Sequence, residues 1–178
     1  MTSFFKPAVA LLVLGFACAS QALAQASNPA SSHAHHGAPH NAGALKGSVL
    51  PFDEKIWVQL LTQGPRPAAY LFTTSYCSTC PAAFAVLHDA VKKRATQPPL
   101  NAVMMDVLGP QALRHAKHFK GMTQMYAFDG FEPAIRQAVD PNWPNVTPYV
   151  VLVDRKGQAQ RVIGPPPPEM LRRWLAAH

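Results

Sequence analysis

The chain has 178 residues, 48% of them hydrophobic, with 16 Lys and Arg against 9 Asp and Glu and a formal charge of +7. This is enough apolar mass for one domain with a core plus extensions, and it does not suggest two domains. The basic residues are scattered and not interleaved with aromatics, which sets nucleic acid aside as a partner and leaves a mild preference for acidic proteins or anionic surfaces.

Residues 1–24 read as a cleaved secretory signal: Lys6 is followed by the apolar stretch "PAVALLVLGFACAS", and Ala22 and Ala24 are the small residues a signal peptidase reads. An uncleaved anchor and lipidation at Cys18 are the alternatives, the second disfavoured by bulky Phe16. Residues 25–45 lack apolar periodicity and are built from Ala, Ser, Pro, Gly, Asn and four histidines, so a disordered leader is expected. His33, His35, His36 and His40 are candidate ligands for copper, nickel or zinc. Gathering them from an unstructured tract costs chain entropy, so a weak, adventitious site is the expectation.

The domain proper is expected from residue 46 to 178. Ile56, Trp57, Leu60 and Leu61 recur at helical spacing behind Asp53 and Glu54, and Gly64 and Pro65 stop the helix. "AAYLFTT", residues 68–74, reads as a buried strand. Phe84, Leu87 and Val91 mark a helix from about Ser78 to Ala95, and "LNAVMMDV", residues 100–107, is the next strand. A helix begins at Pro110 and ends by Gly121; residues 122–128 are ambiguous, and residues 131–139 form a short helix. "TPYVVLVD", the turn "DRKGQ" and "AQRVIG" read as a hairpin, followed by a closing helix through Trp174. Strands alternating with helices, then a hairpin and a last helix, predict an α/β sandwich with a central mixed β-sheet flanked by helices.

Once the signal is removed, Cys77 and Cys80 are the two cysteines left, in a compartment where paired thiols oxidise. No second pair completes a zinc site, and His88, His115 and His118 are expected to be ordinary surface histidines. A disulfide closing so short a loop is a poor stabiliser by the loop-entropy argument, so redox chemistry is the better use. The pair sits where a strand feeds a helix, and a helix N-terminus favours thiolate over thiol. Cys77 is expected to lie open to a partner and to attack, and Cys80 to pack into the first helical turn and resolve the mixed disulfide. The N–H groups and hydroxyls of Ser78 and Thr79 are candidate stabilisers of the Cys77 thiolate.

On the strand, Tyr76, "CSTCP" and, about 70 residues later, "NVTPYVVLVDRKGQAQRVIG", the chain resembles the thioredoxin superfamily, in particular its exported branch of the TlpA and ResA type. The resemblance implies a thioredoxin-like sandwich. It also implies a cis Pro148, preceded by Thr147, lying against the disulfide, with Tyr76, Thr147 and Pro148 meeting the substrate. It further implies protein thiol or disulfide substrates, a membrane electron donor, a periplasmic location, and no cofactor beyond the redox-active Cys77–Cys80 disulfide. Two positions depart from the pattern: Leu71 and Ala83 stand where relatives carry a buried acid that accepts the proton of the second cysteine. A Sco-like copper chaperone or copper-site assembly protein is the alternative, although that group has C-x-x-x-C and a distant histidine. A thiol peroxidase is a lesser one, with Tyr70 where peroxiredoxins have proline.

Overall fold

The structure is a computed structural model and describes residues 47–176. The signal, Cys18 and the leader with His33, His35, His36 and His40 lie outside the described residues.

The chain runs β1 (Val49–Phe52), α1 (Glu54–Gln63), β2 (Ala68–Thr73), α2 (Cys80–Val91), β3 (Leu100–Met104), α3 (Gly109–Arg114), a 3-10 turn at Ala116–His118, β4 (Gln124–Phe128), α4 (Glu132–Val139), β5 (Tyr149–Val153), β6 (Ala159–Ile163) and α5 (Pro168–Ala176). Every residue of β2, β3, β4 and β5 is buried. That is why these strands read as continuous apolar runs, not as alternating ones: helices cover both faces of the sheet. The strand order is β1-β4-β3-β2-β5-β6. The first four are mutually parallel, and β5 runs antiparallel to both β2 and β6.

Alternation along β2 divides the core. Ala69 and Leu71 face the layer holding Phe84 and Leu87 of α2 and Trp174 of α5, whereas Tyr70 and Phe72 face Trp57 of α1 and Ile135 of α4. Burying each such large side chain contributes roughly 1.5–3 kcal/mol. On the second face the rings of Phe52, Trp57, Phe72, Tyr126, Phe128, Trp143 and Tyr149 interlock largely edge to face, a preferred geometry for aromatic quadrupoles. The result is the expected thioredoxin-like α/β sandwich.

Several boundaries differ from the sequence reading. The strand β1 was not foreseen, and the ambiguous 122–128 segment contains β4, which lies between β1 and β3. The second helix begins at Cys80, not Ser78, because residues 77–79 form a turn closed by the Cys80 N–H on the Cys77 carbonyl at 3.3 Å. It stops at Val91 rather than Ala95. The strand predicted to reach residue 107 ends at Met104. The helix expected from Pro110 to Gly121 is broken after Arg114, where the His115 N–H takes the carbonyls of Ala112 and Leu113 and the chain tightens into the 3-10 turn.

Candidate active site around the Cys77–Cys80 disulfide

The C-terminal ends of parallel β2, β3 and β4 share one end of the sheet with the N-terminal end of antiparallel β5. The tight bend between β2 and α2 is set there by the Cys77 N–H donating to the Thr74 carbonyl at 3.2 Å. Cys77 and Cys80 are joined in a disulfide, with their Cα atoms 5.5 Å apart. Cys77 is half-buried while Cys80 is fully buried. One sulfur therefore faces the approach to the site and the other the core, the asymmetry that separate attacking and resolving roles require.

Thr79 is the N-cap of α2, yet its side chain makes no capping bond. Its hydroxyl lies 3.9 Å from the Cys77 sulfur, the one polar side-chain contact that this sulfur has among the described residues. Ser78 is exposed and makes no hydrogen bond among those residues. Pro81 occupies the first turn of α2, where a missing N–H costs little.

Pro148 is buried, Thr147 half-buried, and the bond between them is cis. Register places them: Phe72 pairs with Tyr149, so one further step along both strands sets Pro148 beside Thr73, four residues before Cys77. The Pro148 carbonyl is taken by the Gly164 N–H at 2.8 Å, which ties the head of β5 to the end of β6. The backbone of Thr147 makes no hydrogen bond among the described residues.

Cys80 packs in the same core layer as Leu71 and Ala83, both buried and both apolar. Asp154 is the one buried carboxylate among the described residues, and it sits beyond the far end of β5, accepting from the N–H groups of Lys156 and Gln158 at 2.8 Å each. The acid missing from positions 71 and 83 is thus not replaced by another buried carboxylate beside Cys80.

A residue overlooked in the sequence is Asp106, just past the end of β3. Its carboxylate accepts the Ser75 N–H at 2.9 and 3.0 Å and the Ser75 hydroxyl at 2.5 Å, clamping the segment that leads into Cys77. The one trace of it in the sequence is an acidic residue near the end of an apolar run read as a strand. His115 and His118 have ring centroids 6.1 Å apart, and no group of three or more metal-capable side chains occurs among the described residues.

Large apolar side chains gather at this end. Tyr76 is 79% exposed and Phe131 73%, and Leu108, Val146 and Ile163 are also exposed. These are five of the seven exposed large hydrophobics among the described residues, the others being Val58 on α1 and Leu113 on α3. Scattered apolar residues are ordinary; concentration around one site marks an interaction surface.

No family model and no curated protein matches the chain. Among solved structures it is similar to MTB DsbF, at 18% identity, with 64% of this chain and 81% of that one covered and a TM-score of 0.48. It is also similar to a thio-disulfide isomerase from Thermus thermophilus, at 23% identity, 64% and 80% coverage and a TM-score of 0.45. A secreted Mycobacterium tuberculosis disulfide oxidoreductase homologous to E. coli DsbE is similar at 17% identity, 62% and 81% coverage and a TM-score of 0.42. With the cysteine pair between β2 and α2 and Pro148 heading the antiparallel β5, the chain has a thioredoxin-like fold.

Proposed function

We propose that the protein is an exported, periplasmic thiol-disulfide oxidoreductase that reduces disulfides in other proteins. The observation that carries the reading is the Cys77–Cys80 disulfide itself, half-buried on one side and core-facing on the other, inside a rim of exposed apolar side chains. In the reduced protein the Cys77 thiolate attacks one sulfur of a partner disulfide, forming a mixed disulfide and expelling the partner's other sulfur as a thiolate. The Cys80 thiolate then attacks the Cys77 sulfur, restoring the internal disulfide and releasing the partner's second thiol. Two electrons leave the pair, and a membrane electron donor returns them. Thr79 stabilises the Cys77 thiolate by donating its hydroxyl. The unpaired backbone of Thr147 pairs with an extended segment of the partner, and Tyr76 and Pro148 flank that segment. Ser78 contributes through its position in the bend.

Cys77→Ser is expected to abolish turnover, while Cys80→Ser accumulates mixed disulfides that non-reducing gels display; equal trapping by both variants contradicts these roles. Equilibration with glutathione reads the direction: a potential below roughly −200 mV fits a reductant, and one near −120 mV an oxidant. Tight stoichiometric copper on Cys77 and Cys80 in a parallel titration favours the copper-carrying alternative instead.

A further inference from the structure

The other end of the sheet carries a second feature, independent of the dithiol. The C-terminal end of α1, the starts of β2 and β3, the end of β5 and the last turn of α5 enclose a cleft of about 200 Å³. Its lining includes Arg66, Arg94 and Arg155 and, among the described residues, no carboxylate. Asp154, next in sequence to Arg155, is turned away into its own hairpin, where it holds the N–H groups of Lys156 and Gln158.

Two of the three guanidinium groups are held in place. Arg66 donates through Nη2 to the carbonyls of Leu61 and, at 3.3 Å, Thr62, at the open end of α1. It lies over Gly157 so closely that a Cβ there would come 2.8 Å from its Cζ. Arg94 donates through Nη2 to the Leu175 carbonyl at 3.4 Å. These bonds use part of each five-donor fork and leave the rest available. Arg155 has no hydrogen bond or ion pair among the described residues. Pro65, Pro67, Pro98 and Pro99 form much of the wall. With their fixed φ angles the wall is stiff, and with no N–H groups the prolines leave the hydrogen bonds to an anion to the side chains. Thr96 and Gln97 add neutral donors.

Three cations around one cleft that no described carboxylate lines repel one another, and an anion of two or more charges relieves that repulsion. Guanidinium forks match phosphate oxygens in pairs. We propose that this cleft binds a phosphate-bearing anion through Arg66, Arg94 and Arg155, at the end of the sheet opposite the disulfide. A soluble phosphate compound and a phospholipid headgroup share that chemistry.

The test titrates the intact protein with pyrophosphate at about 0.15 M salt, where diffuse surface attraction is screened beyond about 8 Å. Calorimetry and the arginine side-chain NMR resonances report binding. One-to-one saturable binding is expected, weakened about tenfold by Arg155→Gln or Arg94→Gln and unchanged by Lys117→Gln, which removes the same charge elsewhere. Flotation with phosphatidylglycerol vesicles against phosphatidylcholine ones separates the sources. Vesicle binding lost in Arg155→Gln assigns the cleft to a headgroup, whereas pyrophosphate binding without vesicle binding assigns it to a soluble phosphate. Absence of saturable binding to both probes, or equal weakening by Lys117→Gln and Arg155→Gln, overturns the proposal.

Discussion

Asp106 shows how much of the cysteine loop depends on one side chain. Its two oxygens accept three hydrogen bonds from Ser75, two of them from the backbone N–H. Ser75 is exposed, so water replaces those bonds when the carboxylate is removed. The cost to stability is therefore modest, about 1 kcal/mol for Asp106→Ala. The cost to chemistry is larger, because Ser75 is two residues from Cys77 and sets the path by which its sulfur reaches the surface. Asp106→Ala is expected to slow attack by Cys77 several-fold, with Asp106→Asn intermediate because it keeps one acceptor oxygen. Stopped-flow exchange with a model disulfide, alongside urea titration, measures both effects. An exchange rate unchanged in Asp106→Ala, beside a lowered urea midpoint, shows that the clamp serves folding alone.

At the scale of elements, legibility in the sequence followed burial and length. The strands β2, β3 and β5 were visible as apolar runs, and α1, α4 and α5 as periodic ones, α1 behind its N-cap Asp53 and α4 and α5 with Pro133 and Pro168 in their first turns. The strand β1 was missed because it is four residues long, half-exposed and interrupted by Pro51. The strand β4 was ambiguous because it opens on Gln124, a polar residue buried by bonding its amide to the carbonyls of Ser48 and Met125, a compensation no periodicity reveals. The cysteine pair and Pro148 were legible as a motif; Asp106 was not, because its partner lies 31 residues away. Equally hidden was the support of the loop between α4 and β5. Trp143 stacks on Tyr149 at 4.4 Å, meets the edge of Phe72 at 5.0 Å, carries the Arg136 guanidinium 5.0 Å above its ring, and donates its indole N–H to the Val146 carbonyl at 3.1 Å. That last bond fixes the residue before Thr147. Trp143→Phe keeps most of the apolar contact but drops the donor, so about 1 kcal/mol of stability is lost. If Thr147 receives the partner, KM for a protein substrate rises while kcat hardly changes. Trp143→Ala is expected to cost about 3–5 kcal/mol. Steady-state kinetics with a protein substrate and with a small disulfide separate the cases: a KM shift for both, or for neither, removes the loop from partner binding.

For the whole molecule, the titrating groups predict a stability plateau with different edges. Burial pushes the Asp140 carboxyl up, but the Tyr149 hydroxyl, the Asn142 N–H and the Arg161 cation together bring it below its ordinary range. A depressed carboxyl stabilises the fold above its unfolded value of about 3.9 and loses that contribution as pH falls through the folded one. The acid edge is shallow, since the depressed carboxyls that define it are the half-buried Asp140 and the exposed Asp89, which its hydrogen bond to Lys92 and that cation's charge lower. The alkaline edge is steeper. Tyr70 is raised by burial and then by the neighbouring Tyr126, and Tyr126 by burial. Tyr149 is raised by burial, by its hydrogen bond to Asp140 and by that carboxylate's charge, with Arg161 partly offsetting. A raised tyrosine contributes fully below its unfolded value of about 10 and loses that contribution as pH climbs towards the folded one, because the unfolded chain ionises first. For Tyr70, which is 1% exposed, the loss is about 1.4 kcal/mol per pH unit above 10. Urea unfolding at stepped pH should therefore show a sharp fall above about pH 10, with tyrosinate absorbance appearing together with loss of structure. Tyr70→Phe removes one ionising group from the unfolded chain, so its stability should fall less steeply over the same interval. Identical alkaline slopes in the two proteins assign the titration that limits the fold to groups other than Tyr70.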